Sequence, residues 1–237
     1  MIGRDSRLSR LQLQIVQRKI EQAFPGILVQ QVHRSSRGDA LQDIPLQTVE
    51  GQDFFTEVIF AALSSGEADI AVHSLKDMSS AHFFSDQAFA VVDRDDPRDL
   101  AVFNPDIQEK ISRGQTIIIG TCSPRREEMA TAFLKKALPQ LKEDIRIETR
   151  PIRGNVETRL RKLDDGEYDA TILATAGLNR LLRSEDDRSL IQSLLSNKKM
   201  MLLPLIDCVP APCQGAIVAE ANPANTRAVE LLEAISD

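Results

Sequence analysis

The sequence has few of the aromatic side chains that stack on nucleic-acid bases. It contains no Trp, one Tyr and nine Phe in 237 residues, whereas proteins that bind single strands use aromatic platforms. Acidic side chains outnumber basic ones by 35 to 29, which gives a formal net charge of −6. A surface devoted to nucleic-acid phosphates would carry the opposite sign. The composition therefore argues against a nucleic-acid-binding module and leaves room only for a local basic pocket.

Cysteine and histidine are also scarce, with three residues of each type. The cysteines are Cys122, Cys208 and Cys213, and the histidines are His33, His73 and His82. An odd number of cysteines without a CxxC spacing predicts neither a disulfide framework nor a zinc site. We therefore expect no metal centre.

Long apolar runs and nucleotide-binding loops are missing as well. No apolar run approaches the roughly 18 residues that a membrane-spanning helix needs. The N-terminus, with Arg4, Asp5 and Arg7, lacks the apolar stretch of a signal peptide. Neither GxxxxGK[ST] nor GxGxxG occurs, so nucleotide binding through those loops is not supported. We expect a cytoplasmic protein without membrane association.

What is present is an alternation of predicted strands and helices in a chain of ordinary globular composition, 42% hydrophobic and 27% charged. Apolar residues at helical spacing predict a helix from Leu8 to Phe24, with Ser6 as its N-cap and Pro25-Gly26 as its end. The other predicted helices are 54–63, 124–138 and 156–163, and the predicted strands are 27–32, 68–72, 116–119, 145–147 and 169–174. Such alternation predicts an α/β fold.

A short internal repeat indicates two similar lobes. Residues 66–72 resemble residues 166–172, and each copy follows a predicted helix. Either chance or equivalent turns in two lobes explains so short a match. A charged, proline-containing stretch at 93–99 and the prolines near 204–212 are candidate crossings between lobes. We predict a first lobe of residues 1–93 plus 206–221 and a second of 94–205.

Polar side chains come directly after one of the buried strands. His73, Ser74, Lys76 and Asp77 follow the apolar residues at 70–72. Ligands bind at the carboxyl ends of strands in open α/β sheets. A solvated Lys76-Asp77 pair and a functional site are both compatible with this pattern.

Arginines recur where predicted strands lead into helices. In the segment 120–126, Ser123 is a predicted N-cap and Pro124 the first helical residue, followed by Arg125 and Arg126. Free amides and two guanidinium groups predict an anion site. The alternative is that both arginines face water, but cations in a first turn oppose the helix dipole. The position of the arginines therefore favours ligand binding.

Two further turns follow the same pattern. Arg153 and Gly154 precede a predicted helix that carries Arg159, and Arg4 precedes the first helix. Several guanidinium groups at such turns predict a ligand with multiple carboxylates or phosphates, although the net charge of the chain is negative.

The segments 68–77, 120–126, 153–160 and 210–216 together resemble the porphobilinogen deaminase (hydroxymethylbilane synthase) family, in order and from Met1 to about residue 220. The resemblance implies two α/β lobes of the periplasmic-binding-protein type II kind with a central cleft. It also implies an enzyme of tetrapyrrole and heme biosynthesis. That transferase joins four porphobilinogen units to hydroxymethylbilane, with loss of ammonia, on a covalently held dipyrromethane cofactor.

The resemblance also assigns residues. Asp77 matches the catalytic carboxylate, which would hydrogen-bond pyrrole N–H groups and stabilise the cationic azafulvene formed on deamination. The positions that match the family's carboxylate-binding residues are Arg4, Ser6, Ser74, Lys76, Thr121, Cys122, Ser123, Arg125, Arg126, Arg153 and Arg159. The expected partner is porphobilinogen as substrate, without nucleic acid or membrane, and the expected oligomeric state is a monomer.

The sequence departs from the family pattern in several places. The family attaches dipyrromethane to a cysteine in a Gly-Gly-Cys loop of a third domain, and this sequence lacks that loop. We therefore expect the third domain to be absent and residues 222–237 to be a remnant of its first helix. Gln52 and Asp53 replace a lysine and a glycine of the family, Cys122 replaces a serine, and Cys213 a glycine.

These departures leave the cofactor attachment and the activity open. Cys122 is one candidate anchor for dipyrromethane, and an inert, unmodified thiol is the alternative. Dipyrromethane bound without a covalent link is a third possibility. The alternative function is a non-catalytic, two-lobed binding protein for a polycarboxylate pyrrole or another anion.

Overall fold

The computed structural model describes residues 1–35, 56–79, 87–139 and 145–236. Gln52 and Asp53 lie outside these ranges, as do the first two residues of the helix predicted at 54–63. Within the ranges, no helix is long and apolar enough to cross a membrane.

The described elements alternate as the sequence predicts. In chain order they are β1 (Ile2–Arg4), α1 (Arg7–Ala23), β2 (Val32–Arg34), α2 (Glu57–Ser64), β3 (Ile70–Ser74), β4 (Ala88–Arg94), β5 (Asp99–Phe103), α3 (Ile107–Ser112), β6 (Ile117–Gly120), α4 (Thr131–Ala137), β7 (Ile147–Arg150), α5 (Val156–Asp164), β8 (Ala170–Ala174), α6 (Thr175–Arg183), α7 (Glu185–Leu195), β9 (Lys199–Leu202), β10 (Ala216–Ala221) and α8 (Thr226–Ile235). A 3-10 turn, Leu75–Asp77, follows β3, and a π-helical segment, Arg126–Ala130, leads into α4.

The chain forms two compact units. Among the described residues, the first unit contains 1–35, 56–79, 87–96 and 212–236, and the second contains 97–139 and 145–211. The predicted α/β class with two units is confirmed.

The first unit is built on a five-stranded sheet of order β2-β1-β3-β10-β4. β1, β2 and β3 run parallel, and β10 is antiparallel to β3 and β4. Apolar residues of α1 and α8, among them Leu13 and Leu232, pack into one cluster with Val72 and Ile217. A second cluster joins Ile2 to residues of α2. The carboxyl ends of β1 and β3 therefore lie side by side.

The second unit repeats this plan with the order β7-β6-β8-β5-β9. β6 is parallel to β7 and β8, whereas β5 is antiparallel to β8 and β9. Its core contains Phe103, Ile117, Leu134 and Ile172. The carboxyl ends of β6, β7 and β8 again share one edge of the sheet.

The internal repeat in the sequence corresponds to equivalent structure in the two units. α2 ends at Ser64 and β3 begins at Ile70, while α5 ends at Asp164 and β8 begins at Ala170. Gly66 and Gly166, which join helix to strand, have φ angles of 76° and 75°. Equivalent turns, and not chance, therefore explain the match.

Several predicted boundaries differ from the structure. The strand predicted at 27–32 is β2, Val32–Arg34, because Val32 N donates to Met1 O and the three residues of β1 set the length of the pair. Ile27 and Val29 pack as partly buried side chains against the first core instead. The sequence did not predict β1, β4, β5, β9, β10, α3, α6 or α7, and it predicted α8 only as the remnant helix of a third domain.

The boundaries of the units also differ from the predicted ones. The first crossing falls between residues 96 and 97 and the return at 212, rather than after 93 and at 206. Asp95 N donates to Gly215 O at 3.0 Å, which keeps this stretch in the first unit, and Cys208 is buried in the second core. The segment predicted as a remnant of a third domain contains α8, which packs into the core of the first unit.

Candidate functional site

A small pocket of about 70 Å³ opens in the first unit at the carboxyl ends of β1 and β3. It is lined by Arg4, Ser6, Leu8, Ser9, Gln12, Thr56, Val72, His73, Ser74 and Asp77. Four of these, Arg4, Ser6, Ser74 and Asp77, are site residues predicted from the sequence. The structure therefore brings the predicted catalytic carboxylate together with a guanidinium group and two hydroxyl groups.

Local interactions explain how α1 reaches this pocket. Ser6 caps the helix, because its Oγ accepts a hydrogen bond from Ser9 N at 3.2 Å. A Cβ atom at Gly3 would lie 2.8 Å from Leu13 Cδ1, so the absent side chain lets helix and strand approach closely. On the other side of the pocket, the turn after β3 ends at Asp77, where Met78 N donates to Leu75 O.

Lys76 does not line the pocket. Its side chain is exposed, and Nζ lies 3.4 Å from Oε1 of the buried Gln214. Gln214 precedes Gly215, whose φ is 94° and where a Cβ atom would lie 2.3 Å from Asp95 O. Lys76 therefore lies beside the predicted 210–216 segment, which belongs to the same unit from residue 212 onward.

The list of predicted site residues omitted Gln12 and His73. Gln12 is buried and its Nε2 donates to Ser74 Oγ at 2.7 Å. His73 Nε2 lies 3.0 Å from Glu220 Oε1. A glutamine on the buried face of a helix, and a histidine inside an otherwise apolar strand, are the sequence signals that could have identified them.

In the second unit, the loop after β6 forms the helix start that the sequence predicts. Thr121 N donates to Arg150 O at 2.9 Å, and Thr121 Oγ1 accepts from Ser123 N at 3.1 Å. Ser123 Oγ accepts from Arg126 N at 3.4 Å, as expected of an N-cap. The helix then widens into the π-helical segment, a feature that is frequent at functional sites.

Arg125 and Arg126 do not simply point into water, because hydrogen bonds to the protein itself hold both guanidinium groups. Both guanidinium groups bind Asp99, which is 1% exposed: Arg125 Nη2 donates to Oδ2 at 2.7 Å and Arg126 Nη2 to Oδ1 at 2.8 Å. Arg125 Nη1 also donates to Val209 O and Arg126 Nη1 to Ile172 O. Asp99 was not predicted, because it lies 26 residues before Arg125 and only the pairing of β5 with β8 brings it near.

The turn before α5 adds two more arginines to this region. Asn155 caps the helix by accepting from Thr158 N at 2.9 Å, and Arg159 Nε donates to Gly154 O at 2.8 Å. Burial, together with the positive charges of Arg126 and Arg153, lowers the pKa of Arg159 to about 10, while Cys122 acts in the opposite sense. The guanidinium groups of these three arginines are therefore close enough to repel one another.

The cysteines differ in their surroundings. Cys122 is half-buried and its Sγ donates to Ile152 O at 3.1 Å. Burial, together with the negative charges of Asp207 and Asp99, raises the pKa of the Cys208 thiol to about 11. Cys213 is exposed, with a φ of 59°. In the part of the chain that the structure describes, no group of His, Cys, Asp and Glu residues could hold a metal ion.

The predicted site residues thus form two groups, each within one unit. The first unit offers a carboxylate beside Arg4 and hydroxyl groups, which suits a partly cationic, hydrogen-bonding ligand. The second offers Arg126, Arg153 and Arg159, a cluster suited to carboxylates.

Structural comparison finds solved proteins with low identity. One is the L-cystine solute receptor of Neisseria gonorrhoeae, with 16% identity and a TM-score of 0.45 over 95% of this chain and 75% of that one. Another is the probable amino-acid ABC transporter extracellular-binding protein YtmK of Bacillus subtilis, with 12% identity and a TM-score of 0.44 over 94% and 79%. At TM-scores this low, the ligands of these proteins have no bearing on this chain.

Sequence comparison is far more specific. The profile of the family described as "Porphobilinogen deaminase, dipyromethane cofactor binding domain" matches residues 1–230. A curated porphobilinogen deaminase from Chromobacterium violaceum is 40% identical over 218 residues, which are 92% of this chain and 63% of that protein. The chain thus spans less than two thirds of the length of this relative. With a match over nearly all of its residues, the chain belongs to the porphobilinogen deaminase family.

Proposed function

We propose that this chain is a hydroxymethylbilane synthase. It condenses four porphobilinogen molecules with loss of ammonia, in tetrapyrrole and heme biosynthesis. The observation that carries the proposal is the pocket of the first unit, where Asp77 lies beside Arg4, Ser6 and Ser74. Family membership and 40% identity to a curated deaminase support it.

Asp77 is the residue that acts on the reacting ring. Its carboxylate is half-buried in the wall of the pocket, where a bound ring can reach it. It accepts hydrogen bonds from pyrrole N–H groups and stabilises the positive charge that the substrate acquires as ammonia leaves. Arg4 and the two hydroxyl groups hold the carboxylates of the same substrate molecule.

The second unit fits dipyrromethane, the cofactor to which the family profile refers. When bound, dipyrromethane supplies the pyrrole carbon from which the growing chain extends. Arg126 Nε is buried and has no hydrogen-bond partner among the described residues. Burial, and then the positive charge of Arg126, lowers the pKa of Arg159, and a ligand carboxylate beside its guanidinium group would offset both effects. Arg126, Arg153 and Arg159 would therefore hold the carboxylates of the cofactor.

We further propose that Cys122 is not the attachment point. Its Sγ–H already donates to Ile152 O, and it replaces a serine of the family pattern. Cys122 then contributes to the shape of the site and not to a covalent bond.

The test compares Asp77→Ala with the unmodified chain in porphobilinogen turnover and in dipyrromethane content, measured by the Ehrlich-aldehyde colour. Asp77→Ala is expected to reduce turnover by at least about 100-fold, because the developing cation loses its carboxylate. The colour should persist. Arg126→Ala should weaken both signals.

Asp186→Asn is the matched control, because Asp186 is exposed in the first turn of α7, in the other unit from Asp77. It should turn over porphobilinogen like the unmodified chain. Turnover that survives Asp77→Ala would reject the assignment of Asp77. Binding of porphobilinogen without any turnover by the unmodified chain would instead support a binding protein.

A further inference from the structure

The buried face of α1 changes from polar to apolar along the helix. Its buried residues are Ser9, Gln12, Leu13, Val16 and Ile20. The last three pack into the core of the first unit, as expected of an amphipathic helix. Ser9 and Gln12 are 7% and 3% exposed, and both line the pocket of the first unit. Polar side chains on a buried face call for a physical reason, because burial without a partner is unfavourable.

Gln12 has such a reason in its own hydrogen bond, since its Nε2 donates to Ser74 Oγ at 2.7 Å. Ser9 takes part in the cap of the helix only through its backbone, whose N–H donates to Ser6 Oγ. The hydroxyl group of Ser9 forms no hydrogen bond with any of the described residues. A buried hydroxyl group without a partner costs free energy, which a ligand that accepts its proton would recover.

Other serines of this chain satisfy their hydroxyl groups locally. At the ends of three helices, Ser65, Ser112 and Ser196 each donate from Oγ to the carbonyl oxygen three residues earlier, at 3.2, 2.8 and 2.9 Å. This bond to a preceding carbonyl is the ordinary solution for a serine in a helical turn. Ser9 does not adopt it, so its hydroxyl group remains available to the pocket that it lines.

The hydroxyl group of Ser9 lies against the end of β1. A Cβ atom at Gly3 would be 3.2 Å from Ser9 Oγ, so the missing side chain at Gly3 leaves room for the hydroxyl group. The next residue along β1 is Arg4, whose side chain lines the same pocket. A carboxylate accepts hydrogen bonds from a guanidinium group and a hydroxyl group at once, and both bonds are then strengthened by its charge.

We propose that Ser9 is a further substrate-binding residue, an inference that rests on the proposed function. Its Oγ–H donates to one of the two carboxylates of porphobilinogen, the one that Arg4 also binds. No bond to that carboxylate breaks or forms in the condensation, so the hydrogen bond is equally strong before and during the reaction. Ser9 therefore affects KM and not kcat.

The first test substitutes Ser9 and measures porphobilinogen turnover. Ser9→Ala should raise KM by at least about 10-fold and leave kcat within about 3-fold, because a charge-assisted hydrogen bond is lost. Alanine also favours the helix and removes a buried hydroxyl group, so the free energy of unfolding in urea should be unchanged or higher. If Ser9 only provided a small side chain against β1, alanine would serve equally well and KM would not change.

Two further variants separate the hydrogen bond from packing. Ser9→Cys keeps nearly the same volume but offers only a weak donor, so its KM should rise as in Ser9→Ala. Ser65→Ala is the matched control, because it removes a hydroxyl group in the same unit from a residue that does not line the pocket. Its KM and kcat should equal those of the unmodified chain.

The two monomethyl esters of porphobilinogen identify the carboxylate, with dissociation constants measured by calorimetry. The ester of the carboxylate that Ser9 contacts should bind to Ser9→Ala and to the unmodified chain with affinities within about 3-fold, since the charged acceptor is gone. The other ester should retain the difference of about 10-fold or more that porphobilinogen itself shows.

Three results would overturn the role of Ser9 and leave the proposed function standing: a KM of Ser9→Ala within about 3-fold, a normal KM in Ser9→Cys, or a full difference with both esters. An unmodified chain that binds porphobilinogen but releases no ammonia would reject the proposed function. The dissociation constant of porphobilinogen then decides about Ser9: a rise of about 10-fold or more in Ser9→Ala supports the contact, and an unchanged value overturns it.

Discussion

The arginines at the strand-to-helix turns have unequal roles, although their sequence contexts look alike. Arg125 donates to Asp99 and to Val209 O, so its guanidinium group is held by the protein itself. Arg126 shares Asp99 but retains a buried Nε without a partner among the described residues. Burial, and then the positive charge of Arg126, lowers the pKa of Arg159. We therefore expect ligand binding to depend more on Arg126 and Arg159 than on Arg125.

Arg159→Met should weaken ligand binding without loss of stability. Burial lowers the pKa of Arg159 to about 10 in the folded protein, below its ordinary value, so the folded state holds this proton less tightly than the unfolded chain. The charge then lowers the free energy of unfolding at every pH below about 10, and the effect fades only as pH rises from about 10 towards the ordinary pKa of an arginine. After allowance for solvent screening, the cost is of order 1 to 3 kcal/mol.

Urea denaturation at pH 7 and porphobilinogen turnover measure the two effects. We expect an unchanged or higher free energy of unfolding and at least about a 10-fold loss of kcat/KM. Arg146→Met is the control, because Arg146 lies at the surface of the same unit and donates to Gly114 O. Destabilisation of Arg159→Met by more than about 2 kcal/mol would contradict this account of its charge.

The predicted site residues were identifiable from sequence for a local reason. Ser6, Ser123 and Asn155 are caps whose side chains bond to amides three residues later, so the turns that carry the arginines can be located without a structure. In contrast, Asp99 contacts Arg125, which is 26 residues later in the chain, and Glu220 contacts His73, which is 147 residues earlier. Only strand pairing creates those contacts, and no local sequence pattern specifies the register in which the strands pair.

At the scale of elements, the repeated helix-turn-strand unit explains why the fold class was predictable and some boundaries were not. The strands β3 and β8 are buried on both faces, and the helices α2 and α5 each bury one apolar stripe. The apolar patterns of these four elements are therefore strong. β2 has three residues, of which none is fully buried, and its pattern is correspondingly weak. Its position depends on β1, whose length no local pattern defines.

Glycine substitutions test the equivalence of the two turns. Gly66→Ala and Gly166→Ala should each lower the free energy of unfolding by about 1 to 2 kcal/mol, because both residues have positive φ and no atom within 4 Å of a new Cβ. Gly215→Ala has a similar φ of 94°, but its Cβ would lie 2.3 Å from Asp95 O. It should cost about 3 to 5 kcal/mol.

Urea titrations followed by circular dichroism would compare the three variants. The matched pair Gly66→Ala and Gly166→Ala should agree within about 0.5 kcal/mol. A cost for Gly215→Ala no larger than theirs would show that the backbone at Asp95 yields to the methyl group.

At the scale of the whole molecule, the sequence predicted that residues 206–221 return to the first unit, but it assigned α8 to another domain rather than to the core of the first unit. Its sheet needs β10, which follows the second unit in the chain, and its core needs α8. Hydrophobic residues of α8 could be recognised from their spacing, but their partners in α1 lie about 200 residues earlier in the chain. Among the described residues, the core clusters of the two units share no member.

Separate cores predict separate responses to core truncation. Leu232→Ala removes a side chain that is 2% exposed in the first core, and Leu134→Ala removes one that is 0% exposed in the second. Each should cost about 2 to 5 kcal/mol, confined to its own unit. Because the chain has no Trp and its one Tyr is Tyr168, tyrosine fluorescence reports on the second unit alone.

Leu134→Ala should therefore shift the urea midpoint of tyrosine fluorescence, whereas Leu232→Ala should leave it unchanged and shift only a part of the circular dichroism transition. Hydrogen exchange provides the residue-level counterpart: Leu232→Ala should remove protection from β1, β3 and β10 while β6 and β8 keep theirs. A fluorescence midpoint that moves equally in both variants would mean that the units unfold as one. In that case, the stability of the arginine cluster in the second unit would depend on α8, and substitutions in either core would weaken cofactor binding.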